Sequence, residues 1–152
     1  ALRALFEAIG RVDAIVCAAG GGAFKPLEHL TDADFALSLG FKLMGQVNVI
    51  RHGLARVNDG GSITVTSGVL SQRPMPGSAA ISLVNAGLEG FVRAAALEAP
   101  RGIRVNVVSP PWVTDTLVKF GMDPALGKTP EVVARAYVAS VTGTQTGATL
   151  EP

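Results

Sequence analysis

Two polar side chains in this sequence stand where chemistry is feasible. Lys42 lies in a largely apolar stretch, Leu37 to Val49, that should face a cleft. An ammonium drawn out of water holds its proton less tightly, so a lysine there could donate a proton or clamp a carbonyl oxygen. Ser67 closes the alternating run Ser62–Ser67, and α/β sheets place ligand groups at the C-terminal ends of strands. The plain alternatives are that Lys42 snorkels to solvent and that Ser67 caps a turn.

Other chemistries lack their residues. His29 and His52 have no cysteine or acid at ligand spacing, so no metal site is expected. No Gly-x-Ser-x-Gly elbow is present for hydrolysis. Gly121 to Thr129 resembles a phosphate-binding P-loop, but it has one residue too many between its glycines, Pro124 in its middle and no strand before it. A polar loop is expected there. The one tyrosine, Tyr137, has Val141 four residues on, and it reads as a packing residue with its hydroxyl at the surface.

Such groups need a scaffold. The 152 residues are 48% hydrophobic and only 16% charged, which excludes disorder and favours elements buried on both faces. Thirteen basic and twelve acidic residues are dispersed along the chain, so neither nucleic acid nor a membrane surface is expected as a partner. No apolar run approaches the ~18 residues that would span a bilayer. Cys17 is the sole cysteine, and a reduced, cytoplasmic setting is the expectation.

Leu2, Leu5, Phe6 and Ile9 share one helical face, so the chain opens inside a helix, without an initiator Met; it reads as a fragment. Val12–Cys17 is a buried strand followed by the Gly20-Gly21-Gly22 turn. Thr31 caps a helix running to Val57, with Phe35, Leu39, Leu43, Val47, Ile50 and Leu54 on its inner face, and Asn58–Gly61 stops it. Ser62–Ser67 and Ile103–Val108 are further strands, and Gly147–Leu150 is a short last one. Ala79 to Leu97 is apolar nearly all round, so it is buried under the sheet or against a partner chain. Pro130–Val141 is another helix. Strands alternating with helices imply an α/β fold with a parallel sheet.

The ordered series carries more than any single motif. VDAIVCAAG (12–20) is similar to the D-x-L-V-N-N-A-G segment of the short-chain dehydrogenase/reductase family. GSITVTSG (61–68) resembles the strand that bears that family's serine. PGSAAISLVNAGLEGFVRAAALE (76–98) resembles its Tyr-x-x-x-Lys helix, and RGIRVNVVSPPWV (101–113) its R-V-N-x-V-x-P-G segment. The match covers nearly the whole chain. It implies one partial Rossmann-type domain over 1–152, roughly strands 4 to 7 with flanking helices, without the N-terminal glycine-rich loop that meets the cofactor pyrophosphate.

The resemblance also locates the departures. Aligning the family's A-A-Y-S-x-x-K with Ala79 to Asn85 puts Ile81 at the tyrosine and Asn85 at the lysine. The serine position falls on Gly68, one after Ser67, and the helix asparagine on Lys42. The resemblance thus implies an atypical member whose catalytic candidates are Lys42, Ser67 and Asn85, the last able to hydrogen-bond a ribose. For NADP or NAD, the implied neighbours are Ala18, Ala19 and Gly20 on one side and Pro110, Pro111, Trp112 and Val113 on the other, Pro111 having no N–H to offer. The family's threonine falls on Asp115, between Thr114 and Thr116.

The resemblance therefore implies an NAD(P)-dependent oxidoreductase acting on a small carbonyl or alcohol. Two readings stand beside it: a catalytically silent nucleotide- or partner-binding protein, and an epimerase or dehydratase on the same scaffold. A homodimer or homotetramer is implied through the helices Thr31–Val57 and Ala79–Leu97, burying Leu88, Phe91 and Val92.

Overall fold

The computed structural model describes residues 2–152. Four strands, β1 (Val12–Val16), β2 (Val57–Thr66), β3 (Arg104–Val108) and β4 (Thr149–Leu150), form one sheet in the order β1-β2-β3-β4, every pair parallel. The Rossmann-type expectation is met: the three strands read from sequence are adjacent.

Alternation along β2 sorts the sheet into two faces. Ile63 and Val65 join Val105 and Val107 of β3 in a core covered by α1 (Leu2–Ile9), α3 (Gly45–Gly53) and α4 (Ala79–Glu98) through Phe6, Ile50, Leu88 and Val92. Thr64 and Thr66 point the other way, toward α6 (Pro130–Thr142), where the Thr64 hydroxyl lies 2.7 Å from that of Ser140. Arg104 donates to the carbonyls of Ser140, Val141 and Gly143, satisfying the open end of α6. Burial on both faces explains the continuous VNVV of β3. Its one polar residue, Asn106, is fully buried and bonded at both ends of its amide.

Three sequence expectations need correction. The segment from Thr31 to Val57 is not one regular helix. α2 (Asp32–Leu37) passes into a seven-residue π-helical segment, Ser38–Met44, then into α3, which ends at Gly53. Leu39, expected on the inner face, is exposed; the buried positions through this segment are Ser38, Lys42 and Gln46, four apart, wider than an α-helix's 3.6, and the wider turn accommodates that spacing. Second, Asn58–Gly61 is no helix stop. It lies within β2, which starts at Val57 opposite Val12 with a register shift beyond, and Asp59 is held by Arg11 and Arg101. Third, Leu88 and Val92 are fully buried inside this chain and are not free to meet a partner; Phe91 packs half-buried on the same core.

Helix α4 is long and apolar enough to match a membrane span in length and composition. Its buried residues nevertheless include Asn85 and Glu89 as well as Val84, Leu88 and Val92, and it packs on β3. A short helix absent from the sequence reading, α5 (Thr114–Lys119), follows β3.

Candidate active site

Beyond the C-terminal ends of β1, β2 and β3 lies a cavity of 630 Å³. Lys42 reaches it from the π-helical segment. The side chain is 7% exposed, and its Nζ donates to the Ser67 carbonyl oxygen at 2.9 Å. Burial lowers its pKa to about 8, with nearby Cys17 acting in the opposite direction. Among the described residues that line the cavity it is the one charged side chain. Snorkelling to solvent is thereby excluded.

The loop after β1 folds over this lysine. Gly20 has φ +134°, and a Cβ there would lie 3.2 Å from the Lys42 Cα; a Cβ on Gly22 would lie 2.9 Å from Ile81 Cδ1. These glycines let the loop close on the site residues. Farther along, the Ala23 N–H donates to Ser38 Oγ, the Lys25 N–H to the Gly77 carbonyl, and the Lys25 ammonium pairs with Asp34 at 2.8 Å. Hydrogen bonds from Lys25 and Thr31 hold the Asp34 carboxyl at a pKa of about 2. Phe24 is fixed between these ties.

Ser67 contributes through its carbonyl. Its hydroxyl donates to Glu89 Oε1 at 2.8 Å, and Ser71 donates to the same oxygen at 2.7 Å. Ser67 therefore meets Lys42 and the α4 carboxyl at once, with its one proton already committed. Asn85, 2% exposed, donates from Nδ2 to the Gly68 carbonyl at 3.2 Å, while its Oδ1 is buried without a partner. A Cβ on Gly68 would lie 3.0 Å from that Nδ2, so glycine at the family's serine position leaves room for the amide.

Gln46 and Glu89, which sequence reasoning missed, do not line the cavity but hold Thr66 and Ser67, which do. Gln46 Nε2 donates to the Thr66 carbonyl and its Oε1 accepts from the Thr66 N–H, both at 2.7 Å. Each residue sits four positions after a candidate already singled out, Lys42 and Asn85, and that spacing was the available signal. Tyr137 also differs from expectation. Its hydroxyl is not at the surface but 2.7 Å from Thr66 Oγ1. Thr66 gives its own proton to the Cys17 carbonyl, so Tyr137 is the donor. Burial raises the phenol's pKa, and Tyr137 is not among the cavity's lining residues.

Ala18, Gly20, Pro110, Pro111, Trp112 and Val113 all line the cavity; Ala19 does not. Of the three residues near the family's threonine, Thr116 lines it while Asp115 is exposed. An orphaned acceptor on Asn85 and the Thr116 hydroxyl suit the hydroxyl and amide groups of a nicotinamide riboside, and Pro111 supplies no N–H to it. The residues present fit that end of the cofactor.

Residues 1–146 match the family model described as enoyl-(acyl carrier protein) reductase. The chain belongs to the short-chain dehydrogenase/reductase family. Hydroxynaphthalene reductase of Aspergillus fumigatus is 32% identical over 105 residues, covering 68% of this chain and 38% of that protein. An uncharacterized oxidoreductase of Methylorubrum extorquens is 32% identical over 113 residues, 74% of this chain and 46% of that one. The chain thus spans less than half the length of these short-chain dehydrogenase/reductase relatives. The protein lin1944 from Listeria innocua superposes with a TM-score of 0.94 at 37% identity, covering 99% of this chain and 76% of that one. A small-chain dehydrogenase solved in complex with NADPH shares the fold, with a TM-score of 0.87 at 24% identity over 99% of this chain and 76% of that one.

Proposed function

We propose that this chain is the substrate-side portion of an NAD(P)-dependent oxidoreductase that interconverts a carbonyl and an alcohol, with Lys42 as proton donor in place of the family's tyrosine. The observation that carries this reading is the desolvated Lys42 ammonium in the cavity wall. Family membership supports the reaction class, and the NADPH complex of a fold relative favours NADP over NAD.

A nicotinamide cofactor, when bound, supplies or accepts the hydride. Asn85 and Thr116 would hold it in this portion, beside Ala18, Gly20 and Pro110 to Val113. Negative charge develops on the substrate oxygen during reduction and must be neutralised in a water-poor site. Ile81 has no proton to give, and Asn85 can offer only a neutral hydrogen bond. Lys42 is charged, buried and near neutrality in its proton affinity, as a general acid requires. The Ser67 carbonyl steers the ammonium, and Glu89 fixes Ser67 in turn.

In the protein expressed from its whole reading frame, Lys42→Met keeps side-chain length and removes the charge. Its reductive kcat should fall by ~10²–10⁴ across a carbonyl panel. Tyr137→Phe should leave kcat nearly unchanged. Full activity in Lys42→Met would overturn the assignment. NADPH binding without turnover of any carbonyl or alcohol would favour a catalytically silent binding protein instead.

The same reading includes a homodimer. Phe41 and Met44 of the π-helical segment and Leu83 of the adjoining α4 are exposed, at 59%, 41% and 51%, and the two elements pack side by side. Replacing Leu83 by Glu should convert the dimer to monomer in light scattering at micromolar concentration. A parent protein that is already monomeric there would end this proposal.

A further inference from the structure

The cavity is chemically lopsided. Its polar groups are few: the Lys42 ammonium, the Asn85 oxygen and the Thr116 hydroxyl among them. Much of the rest is apolar, and three aromatic rings stand out. Trp112 meets Phe24 edge to face, with ring centroids 6.0 Å apart and planes at 78°. It meets Phe120 in the same manner at 6.4 Å and 86°. Ile81 and Met122 line the cavity with them.

The three rings come from three separate places: the loop after β1, the turn after β3, and the end of α5. Each is fixed independently. Phe24 is held by the Ser38, Gly77 and Asp34 ties. Trp112 is held by its carbonyl, which accepts the Lys128 N–H, and Phe120 donates its N–H back to α5 at Thr116 and Leu117. Phe24 and Phe120 nonetheless stay 48% and 64% exposed, so a good part of their ring surface is left for something else to cover. Among the described residues, no carboxylate, guanidinium or imidazole lines the cavity to bind a charged or sugar-like substrate.

We infer that the substrate is an aryl or fused-ring ketone, or the corresponding alcohol, whose ring is gripped by Phe24, Trp112 and Phe120 while its oxygen addresses Lys42. Aromatic pairs prefer edge-to-face and offset arrangements and gain beyond the apolar area they bury. A saturated ring of equal size would bury similar area but forgo that gain. This inference rests on the oxidoreductase reading for the role of Lys42, while the ring site rests on the aromatic geometry alone.

The test separates the two. The whole-frame protein is loaded with NADP⁺, which cannot reduce a ketone, and Kd is measured by calorimetry for 1-tetralone and for its saturated counterpart 1-decalone. The expected result is 1-tetralone bound about threefold to tenfold more tightly, with that preference abolished in Trp112→Leu. Because Trp112 could be needed for folding, Phe120→Ala provides a second variant at an exposed position, and it should reduce the preference with circular dichroism unchanged. Trp112 is the single tryptophan of this sequence, so its emission, taken as parent minus Trp112→Phe, should respond to 1-tetralone. Equal affinities, tighter 1-decalone, or no binding of either ketone would overturn the ring site. A clear aromatic preference with no turnover under NADPH supports the ring site and counts against Lys42 catalysis. Turnover of 1-decalone with no aromatic preference does the reverse.

Discussion

Val84, Leu88 and Val92 occupy one stripe of α4, and Ile81, Asn85 and Glu89 occupy the stripe beside it. Both have four-residue spacing, and five of these six residues are fully or almost fully buried, Ile81 being half-buried. The first stripe meets β3 and asks of its neighbours only volume. The second meets the cavity and the loop after β2, and asks for particular partners: Ser67 and Ser71 for Glu89, and Gly68 for Asn85. Burial alone therefore does not separate core from site in this protein. The number of hydrogen-bonding groups that must be matched does.

The comparison breaks most visibly at Leu88. Leu88→Ala should cost ~2–5 kcal/mol in urea unfolding, by lost transfer energy and a residual cavity, while kcat of the folded fraction stays near the parent's. A loss of kcat with intact stability would mean that the stripes are not separable.

Lys42, facing the second stripe, should produce the next largest effect, and one that depends on pH. Its folded pKa of about 8 lies below the unfolded 10.5, so between those values the unfolded chain binds more protons. Stability should therefore rise with pH from about 8 to about 10.5, by up to ~3 kcal/mol, and be flat below that window, where the folded state bears the full cost of burying the charged ammonium. Lys42→Met should be more stable than the parent at pH 7 and lack the rise. Denaturation midpoints measured across pH 7 to 11 check both, and a parallel pair of curves would contradict the desolvation account. The reductive kcat of the parent should fall as pH passes about 8, because the donor is then unprotonated.

Glu89→Ala sharpens the comparison. It strands the hydroxyl of Ser67 in a buried site, which should cost ~1–3 kcal/mol, while the Ser71 hydroxyl keeps the Gly68 carbonyl as its acceptor. Unlike Leu88→Ala, it should also lower kcat, because the Ser67 carbonyl that holds Lys42 loses its anchor. Unchanged kcat would make Glu89 a structural residue only.

The stripes differ also in how readable they were. Strands β1 and β3, the C-terminal half of β2, and helices α4 and α6 follow from hydrophobic period and composition, because burial against a sheet imposes that period. Lys42 as a buried group was legible as a lone charge in apolar surroundings. The π-helical turn that aims it was not, since the residues it buries, Ser38, Lys42 and then Gln46, are polar and leave no hydrophobic period. Helix α5 is too short for a period to show. The partnerships of Gln46 with Thr66, Ser67 with Glu89 and Tyr137 with Thr66 join residues 20 to 71 positions apart, and no local pattern encodes them. Turn chemistry misled at Asn58–Gly61, where pairing of Val57 with Val12 outweighed the local preference for a turn.

Gln46 gives the cavity its opening. Strand β1 leaves the sheet after the Cys17 N–H reaches the Thr64 carbonyl, so the next outward-facing peptide groups of β2, those of Thr66, lose their neighbour. The primary amide of Gln46 offers one donor and one acceptor at the spacing of a peptide group, and it takes both. A single side chain thus impersonates the missing strand for one residue. Two parallel strands can then diverge without orphaning backbone, and the fork between them is the space into which Lys42 projects.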